Sequence, residues 1–346
     1  MQIESWSIQG NGFHFGRHGL GQEETGVTLP SDSLFAALVA RLAALDGAQA
    51  VEGFISPFLS GEPPFVISST FPFAGQVRFF PVPVYSMRQE SEAVRSKDIK
   101  RIKYLSENNF CKLIDGESLS ELSRVGIMIQ NNQVLVSQEE SATLPAEIRA
   151  GGMPVWAIEQ RPRVTLGRST QAPTIFFTGR VSFGVSCGLW FGIRWLKDDP
   201  ALKAKITDLL DELGDSGLGG ERSAGFGACK ITPSSILELP DANGKFWVCL
   251  SRYLPKENEM AALQDPVAAF NLTTIGGWSD SPVKRGQRRR AVNFLAEGSV
   301  FGKLDHPVPG QVVDVRPRYK ADPDPLGHSV YRSGLALSVG MKGGEV

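Results

Sequence analysis

The segment Gly217–Gly227 combines the residue types that hold phosphate groups. It has five glycines in eleven residues, which permit positive φ, as we expect at Gly220 and Gly225, and a close backbone approach to a ligand. Arg222 and Ser223 add side-chain donors suited to phosphate oxygens. The candidate ligand contacts in this loop are Gly219, Gly220, Arg222, Ser223, Gly225 and Phe226.

The elements around this loop exclude two nucleotide-binding folds. Apolar residues spaced three and four apart predict a helix over Pro200–Leu213, and an apolar run predicts a strand over Ala228–Ile231. Dinucleotide-binding folds and P-loops place their glycines after a strand and before a helix, which is the opposite order. A plain helix-to-strand connection remains the alternative, with Arg222 paired to a neighbouring carboxylate and Phe226 in the core.

Two histidines, His14 and His18, follow the first predicted strand and are candidates for acid–base chemistry. Imidazole titrates near neutral pH, so either residue could act as general acid or base in RNA cleavage. The other interpretation is a noncatalytic histidine that is exposed or contacts RNA. The cysteine, histidine and aspartate residues do not have the spacing of metal ligands, so we expect no metal site. The cysteines are widely separated and predict free thiols: Cys111, Cys187, Cys229 and Cys249.

Basic residues are concentrated in two places, although the net charge is only −1. The segment Lys284–Arg290 holds five positive charges in seven residues, and several arginines alternate in part along a predicted strand. Such clusters repel themselves unless an anion is present, so we favour contact with an RNA backbone over a solvated surface. The residues are Lys284, Arg285, Arg288, Arg289, Arg290, Arg161, Arg163 and Arg168.

Two further pairs are candidates for RNA contact. Ser31 and Ser33 flank Asp32 at the predicted start of a helix, where Ser31 or Asp32 would be the N-cap. The free N–H groups of a helix N-terminus also attract anions. Tyr331 and Arg332 could stack on a base, although the alternation around them also fits a strand with a half-buried tyrosine.

The composition is that of a globular protein large enough for two domains. The chain has 346 residues, of which 42% are hydrophobic and 21% charged. No uninterrupted apolar run approaches the roughly 18–20 residues of a membrane span, and the N-terminus does not have the pattern of a signal peptide. We therefore expect a cytoplasmic protein with no membrane partner and no cofactor.

The predicted elements form an α+β protein of two units. Strands at 2–9, 65–70, 78–83, 161–170, 174–183 and 228–233, with helices at 31–45 and 200–213, give residues 1–238 the order of a ferredoxin-like, RRM-type domain. Between about 86 and 150 the charge rises and periodicity weakens, which predicts an inserted hairpin arm and loop. Residues 239–346, with several strands and a short helix near 267–270, are predicted to form a second ferredoxin-like domain.

Several stretches of the chain resemble one protein family. The glycine loop resembles the C-terminal glycine-rich motif of the RAMP superfamily, RNA-binding proteins of CRISPR systems. Residues 30–38 resemble the start of the first helix in that family, and residues 162–170 its central strand. Residues 290–301 and 328–337 resemble the second half of the fourth Csm subunit, which caps the 5′ handle of the guide RNA in subtype III-A complexes.

The resemblance implies an RNA-binding subunit without chemistry of its own. Its implied partners are the crRNA 5′ handle, a large polymerase- or cyclase-like subunit, an adjacent RAMP backbone subunit and, indirectly, the target RNA. It also implies that the insertion contains the hairpin thumb that interrupts guide–target pairing. Two alternatives stay open: a RAMP endoribonuclease that uses His14 or His18, and a protein-binding scaffold without salt-dependent affinity for RNA.

Overall fold

The computed structural model describes residues 1–16, 24–84, 98–166, 173–279, 286–303, 306, 308–320, 322 and 324–342. It shows one large sheet flanked by helices and, after it, a smaller sheet with several two-stranded pairs. The predicted α+β class is therefore confirmed.

The large sheet has nine strands. In chain order, the strands of residues 1–238 are β1 Gln2–Gly10, β2 Phe65–Ile67, β3 Phe71–Ala74, β4 Val77–Pro81, β5 Tyr104–Ser106, β6 Ile127–Ile129, β7 Val134–Val136, β8 Trp156–Leu166, β9 Pro173–Phe183, β10 Cys187–Trp195 and β11 Cys229–Glu238. The sheet order is β11-β1-β10-β3-β4-β5-β7-β6, with β2 beside β10. Only the β5–β7 pair is parallel among these pairings.

The helices of this part pack on the sheet through apolar faces. They are α1 Ser31–Leu59, α2 Glu107–Ile114, α3 Leu119–Val125, α4 Gln138–Ser141, α5 Ala146–Arg149 and α6 Pro200–Ser216. In α6, Asp199 caps the start by accepting the Leu202 N–H at 3.0 Å, and Pro200 occupies the first turn. Its buried residues Ile206, Leu209 and Leu213 follow the predicted spacing, and the helix packs on β11 and α1.

Helix α1 is longer than predicted because it continues past a break. At Gly47 the backbone leaves helical geometry, with φ 81° and ψ −176°, and a second segment containing Pro57 runs on to Leu59. By length and composition alone α1 could cross a membrane. The break divides it into two segments that are each shorter than the roughly 20 residues of a span. Buried residues such as Leu34, Leu38 and Ile55 belong to the protein core instead.

The predicted insertion is a folded extension of the sheet, and the hairpin arm lies elsewhere. Strands β5, β7 and β6 continue the sheet beyond β4, and Leu105, Phe110 and Leu113 are fully buried there. These elements are only three to eight residues long, too short to produce a clear period. The residues 85–97 lie outside the described part. The arm is instead formed by β8 and β9, which pair with each other in eleven register pairs and meet residue 13 at an isolated bridge, Phe13–Val181.

The C-terminal part differs from the predicted second ferredoxin-like domain. Its strands are β12 Phe246–Cys249, β13 Leu272–Ile275, β14 Trp278–Ser279, β15 Gln287–Arg288, β16 Val292–Leu295, β17 Val300–Gly302, β18 Val312–Asp314, β19 Tyr331–Ser333 and β20 Ser338–Met341. They form the sheet β17-β12-β20 and the pairs β13–β16, β14–β15 and β18–β19. Within the described residues after 238, the helical element is a 3₁₀ helix at Glu257–Leu263, not the predicted one near 267–270, and no α-helix is found.

One continuous core joins the two parts. On β12, Val248 lies in the cluster that also contains the core of the large sheet, whereas Trp247 and Cys249 face a smaller cluster of the C-terminal part. Strand side chains alternate between faces, so a single strand serves both clusters. The first residue adds a direct link, because the Met1 ammonium donates to the Leu239 carbonyl at 2.6 Å.

Candidate nucleic-acid interface

Three segments meet at what we call the glycine junction: residues 12–15, residues 178–181 at the base of the arm, and the loop Gly217–Gly227. The Gly220 N–H donates to the His14 carbonyl at 2.9 Å, and the Gly227 N–H donates to the Gly12 carbonyl at 2.9 Å. Phe13 exchanges backbone hydrogen bonds of 2.8 and 2.9 Å with Val181. The loop is therefore held rigidly between the first strand and the arm.

Four glycines of the loop have positive φ: Gly217, Gly219, Gly225 and Gly227. Gly219 and Gly225 differ in what surrounds them. Gly219 has φ 89°, and a Cβ there would lie 2.5 Å from the His14 carbonyl oxygen. Gly225 has φ 86°, and a Cβ there would meet nothing within 4 Å. Gly220 is not among the residues with positive φ, so the expectation for that position was wrong. Close packing against residues 12–15 explains why position 219 has no side chain. At Gly225 the space that a side chain would fill is open to solvent or to a ligand.

The outer surface of the loop presents unused donors. Arg222 and Ser223 are exposed. In the part of the chain that the structure describes, their backbone N–H groups have no acceptor and the Arg222 side chain has no ion pair, so the alternative pairing with a neighbouring carboxylate is not found. Glu221, just before them, is left-handed at φ 56°. Successive free N–H groups beside a left-handed residue, with a guanidinium, form a concavity suited to an anion.

Phe226 is neither core nor an open stacking platform. It is half-buried, with the Arg163 Cζ 5.2 Å and the Arg180 Cζ 5.8 Å from its ring centroid. Arg180 belongs to the same basic cluster of the sequence as Arg161 and Arg163 but was not among the candidate contacts. A Cβ at Gly12 would clash with the Arg180 guanidinium, so this glycine makes room for it. The ring therefore holds two arginines at the junction through cation–π contacts.

The arginines of the arm are partly neutralised. Arg161, half exposed, donates to Glu159 at 2.8 Å, and Arg180 donates to the same carboxylate at 2.9 Å. The hydrogen bond from Arg161 is the main cause that lowers the pKa of Glu159. Arg163, the third arginine at the base of the arm, makes no ion pair among the described residues. Arg168 lies outside them.

His14 is a structural residue of the junction. It is 7% exposed, and its Nδ1 donates to the Gly179 carbonyl at 2.8 Å. Of the two alternatives for this histidine, the exposed imidazole is therefore wrong, because the ring is buried and bonded to the arm. Contact with RNA stays a prediction. His18 lies outside the described residues.

Ser31, Ser33 and Arg332 come together in a buried ion-pair group centred on Asp32. The Asp32 carboxylate is fully buried and accepts from Arg252 Nη1 at 2.9 Å and Arg332 Nη1 at 3.2 Å. Arg332 also donates to the Ser33 hydroxyl at 3.1 Å, and the Ser31 hydroxyl accepts the Arg252 N–H at 2.9 Å.

This group corrects two expectations. Pro30 occupies the N-cap position without a side-chain cap, so neither Ser31 nor Asp32 caps α1. The Arg332 side chain is only 12% exposed, burial lowers its pKa, and its guanidinium is committed to Asp32. Tyr331 is half-buried against the core. Ser31, Ser33 and Arg332 therefore connect α1 with the C-terminal part.

The C-terminal arginines have three different environments. Arg289 donates to the Gly276 carbonyl at 2.8 Å, and Arg290 donates to the Asp314 carbonyl. Arg288 is exposed on β15, and its side chain has no partner among the described residues. Lys284 and Arg285 lie outside the described residues.

The cysteines and acidic residues do not form a reactive centre in the described part of the chain. All four cysteines are free, as predicted, and burial raises the pKa of Cys187 to about 11 and of Cys249 to about 12. No group of three or more His, Cys, Asp or Glu in the residues described could hold a metal ion.

Sequence comparisons give one consistent result. Residues 242–341 match the family model described as the CRISPR Csm4 C-terminal domain. The chain is 26% identical over 325 residues to the "CRISPR system Cms protein Csm4" of Thermococcus onnurineus (strain NA1), which covers 90% of this chain and 91% of the relative. It is also 26% identical over 312 residues to a protein of the same description from Mycobacterium tuberculosis (strain CDC 1551 / Oshkosh), covering 87% and 88%.

Solved structures share the fold. A chain of the Csm3–Csm4 subcomplex in the type III-A CRISPR-Cas interference complex aligns with a TM-score of 0.66 at 18% identity, covering 98% of this chain and 100% of that chain. A chain of the Csm1–Csm4 cassette in complex with pppApA aligns with a TM-score of 0.58 at 20% identity, covering 100% of both. At these identities the likeness concerns the fold alone.

Proposed function

We propose that this chain is the Csm4 subunit of a CRISPR Csm complex, because its resemblance to the fourth Csm subunit is confirmed along nearly its whole length. Its function is to bind and cap the 5′ handle of the crRNA in a type III-A effector for antiviral defence. It contributes recognition and no catalysis. The observation that carries this proposal is the braced glycine loop with unused donors at Arg222 and Ser223.

The glycine junction supplies a phosphate site that is ready before RNA arrives. The hydrogen bonds of Gly220 and Gly227 to residues 12–15 fix the loop, so little conformational entropy is lost on binding. The two free N–H groups and the Arg222 guanidinium then replace the water around a phosphate. Arg163, held above Phe226, adds a second cation at the junction. The handle is constant in sequence, so base contacts are expected here, whereas spacer nucleotides are held through phosphate and sugar.

The arm β8–β9 is the element we assign to the thumb. Its pairs alternate between two faces: Val164 and Ile175 are opposite each other and 62% and 66% exposed, while Arg161 and Arg163 lie on the other face. Exposed aliphatic side chains on a narrow ribbon can wedge between base steps, and the basic face can follow a backbone. This assignment replaces the expectation that the thumb lies within 86–150.

The other proposed contacts are with protein subunits. A structural relative of this chain was solved with Csm3 and another with Csm1. We assign the corresponding partners here as an adjacent RAMP backbone subunit and the large polymerase- or cyclase-like subunit. Any cyclase activity then belongs to the large subunit, and target RNA is met only through the guide.

The endoribonuclease alternative is weakened by the position of His14. A general base must reach the proton it removes, and the imidazole of His14 is buried and bonded to the Gly179 carbonyl. No observation in the described residues favours cleavage. Incubation of the protein with repeat RNA without metal should leave the RNA intact.

Binding of a labelled 5′-handle RNA by the wild-type protein and by Arg222→Ala tests the proposal. Loss of this contact should weaken binding by about 1–3 kcal/mol at fixed salt. Arg124→Ala is the matched control, because Arg124 is an exposed arginine on α3, outside the junction. An unchanged dissociation constant for Arg222→Ala, or an equal loss in the control, contradicts the assignment.

A further inference from the structure

Trp278 is an exception among the six tryptophans of the chain. Four of them, Trp6, Trp156, Trp190 and Trp247, are at most 4% exposed, and Trp195 is partly buried. Trp278 is 56% exposed on β14. Trp278 therefore presents a large aromatic surface that a ligand or a partner can cover.

Trp278 is paired with an unused cation. In the β14–β15 ladder, Trp278 lies directly opposite Arg288, so both side chains project from the same face. Arg288 is exposed and without a side-chain partner in the described residues. The described residues of this hairpin and its neighbour, 272–279 and 286–295, contain no acidic side chain. The described part of this face therefore has an aromatic surface and a positive charge without an acidic neighbour in those two segments.

The backbone under Trp278 is braced. The Arg289 N–H donates to the Gly277 carbonyl at 2.9 Å, and its guanidinium donates to the Gly276 carbonyl at 2.8 Å. A Cβ at Gly277, whose φ is 117°, would lie 2.7 Å from the Arg289 Nη2. Arg289 is thus used to fix the strand that presents Trp278, whereas Arg288 has no side-chain partner among the described residues and is available to a ligand.

We propose that Trp278 and Arg288 form a second RNA site, on the C-terminal part, in which an unstacked base of single-stranded RNA lies on the indole and a neighbouring phosphate binds Arg288. The occupant follows from charge and shape: every base has a π-face for an indole, and the adjacent phosphate complements an arginine with no acidic neighbour in these segments. The inference rests on the proposed function, since it adds a site to the same RNA-binding subunit.

The test is binding of a fluorescein-labelled single-stranded RNA oligonucleotide to the full chain. Trp278→Ala should raise Kd roughly 5- to 150-fold, the effect of losing one stacked base. Trp278→Phe should retain more affinity than Trp278→Ala, because phenylalanine still stacks. Arg288→Ala should lower the slope of log affinity against log salt by about 0.7, the value for one phosphate of a single strand. The control is Leu272→Ala, which removes another exposed apolar side chain, 66% exposed on the neighbouring hairpin. It should leave both Kd and the salt slope unchanged.

Three outcomes overturn this site. Wild-type-like affinity of Trp278→Ala, while Arg222→Ala binds weakly, rejects the second site and leaves the proposed function standing. Absence of RNA binding by the wild-type chain rejects both. If Trp278→Ala binds RNA as tightly as the wild type but no longer co-purifies with another Csm subunit, the face binds protein instead.

Discussion

Phe226 illustrates how one side chain organises charge at the junction. Two guanidinium groups of like charge approach its ring from the arm, and the attraction of each cation to the ring offsets part of their repulsion. Arg180 forms an ion pair with Glu159, so its charge is partly neutralised. The positive charge of Arg163 stays available to a phosphate. Sequence spacing predicted a basic strand here, but not which arginine stays unpaired, because that depends on contacts between the arm and the loop.

Replacing Phe226 by leucine should therefore destabilise the junction while keeping apolar volume. We expect a loss of about 0.5–2 kcal/mol in the free energy of unfolding, the range of cation–π contacts, together with weaker RNA binding. Thermal melting and RNA titration measure the two effects. Phe177→Leu is the control for stability, because Phe177 is 42% exposed on the same arm and has no cation over its ring among the described residues. Equal melting temperatures of the two variants would contradict the role of the ring.

At the scale of elements, long and regular segments were predictable and short ones were not. In strand β1 and helix α6 the apolar residues repeat with a single spacing over many positions. The loop between α6 and β11 is marked by its glycines. The extension β5–β7 is built from strands of three residues, so its charge pattern was mistaken for an arm. Strands β8 and β9 were predicted as strands, but their separation from the main sheet is a tertiary property.

Two of the loop glycines with positive φ, Gly225 and Gly219, allow a matched comparison. Gly225→Ala adds only the strain of alanine at positive φ, about 1 kcal/mol, because its Cβ enters open space. Gly219→Ala adds the same strain and a contact of 2.5 Å with the His14 carbonyl, so it should cost clearly more. Urea unfolding of both variants measures the difference. Equal midpoints would mean that the loop is not packed against residues 12–15 in solution.

At the scale of the whole molecule, the two parts share a hydrophobic core and a buried ion-pair group. Asp32 and Arg332 are separated by 300 positions, so no local pattern could have paired them. Two arginines around one fully buried carboxylate also explain why Ser31 and Ser33 face inward. Sequence reasoning assigned these residues to RNA because polar groups at a helix start have both uses.

Asp32→Ala should leave Arg332 buried without a counter-charge and Arg252 with only the more distant Glu297, 3.8 Å away. Breaking a buried pair in this way costs roughly 3–5 kcal/mol, so we expect a large fall in the free energy of unfolding. Glu62→Ala removes an exposed partner of Lys197 and should cost about 0–1 kcal/mol. Chemical denaturation of both variants makes the comparison. A loss for Asp32→Ala no larger than for Glu62→Ala would show that the two parts are not joined here.

The central claim, that this chain caps the crRNA 5′ handle through its glycine loop, is tested most directly by cross-linking. Guide RNA carrying 4-thiouridine either in the handle or in the spacer is assembled with the full Csm complex, irradiated and digested, and the linked peptides are identified by mass spectrometry. We predict that handle positions cross-link to peptides containing Gly217–Gly227, and that spacer positions distant from the handle do not. Handle cross-links confined to other subunits would contradict the account.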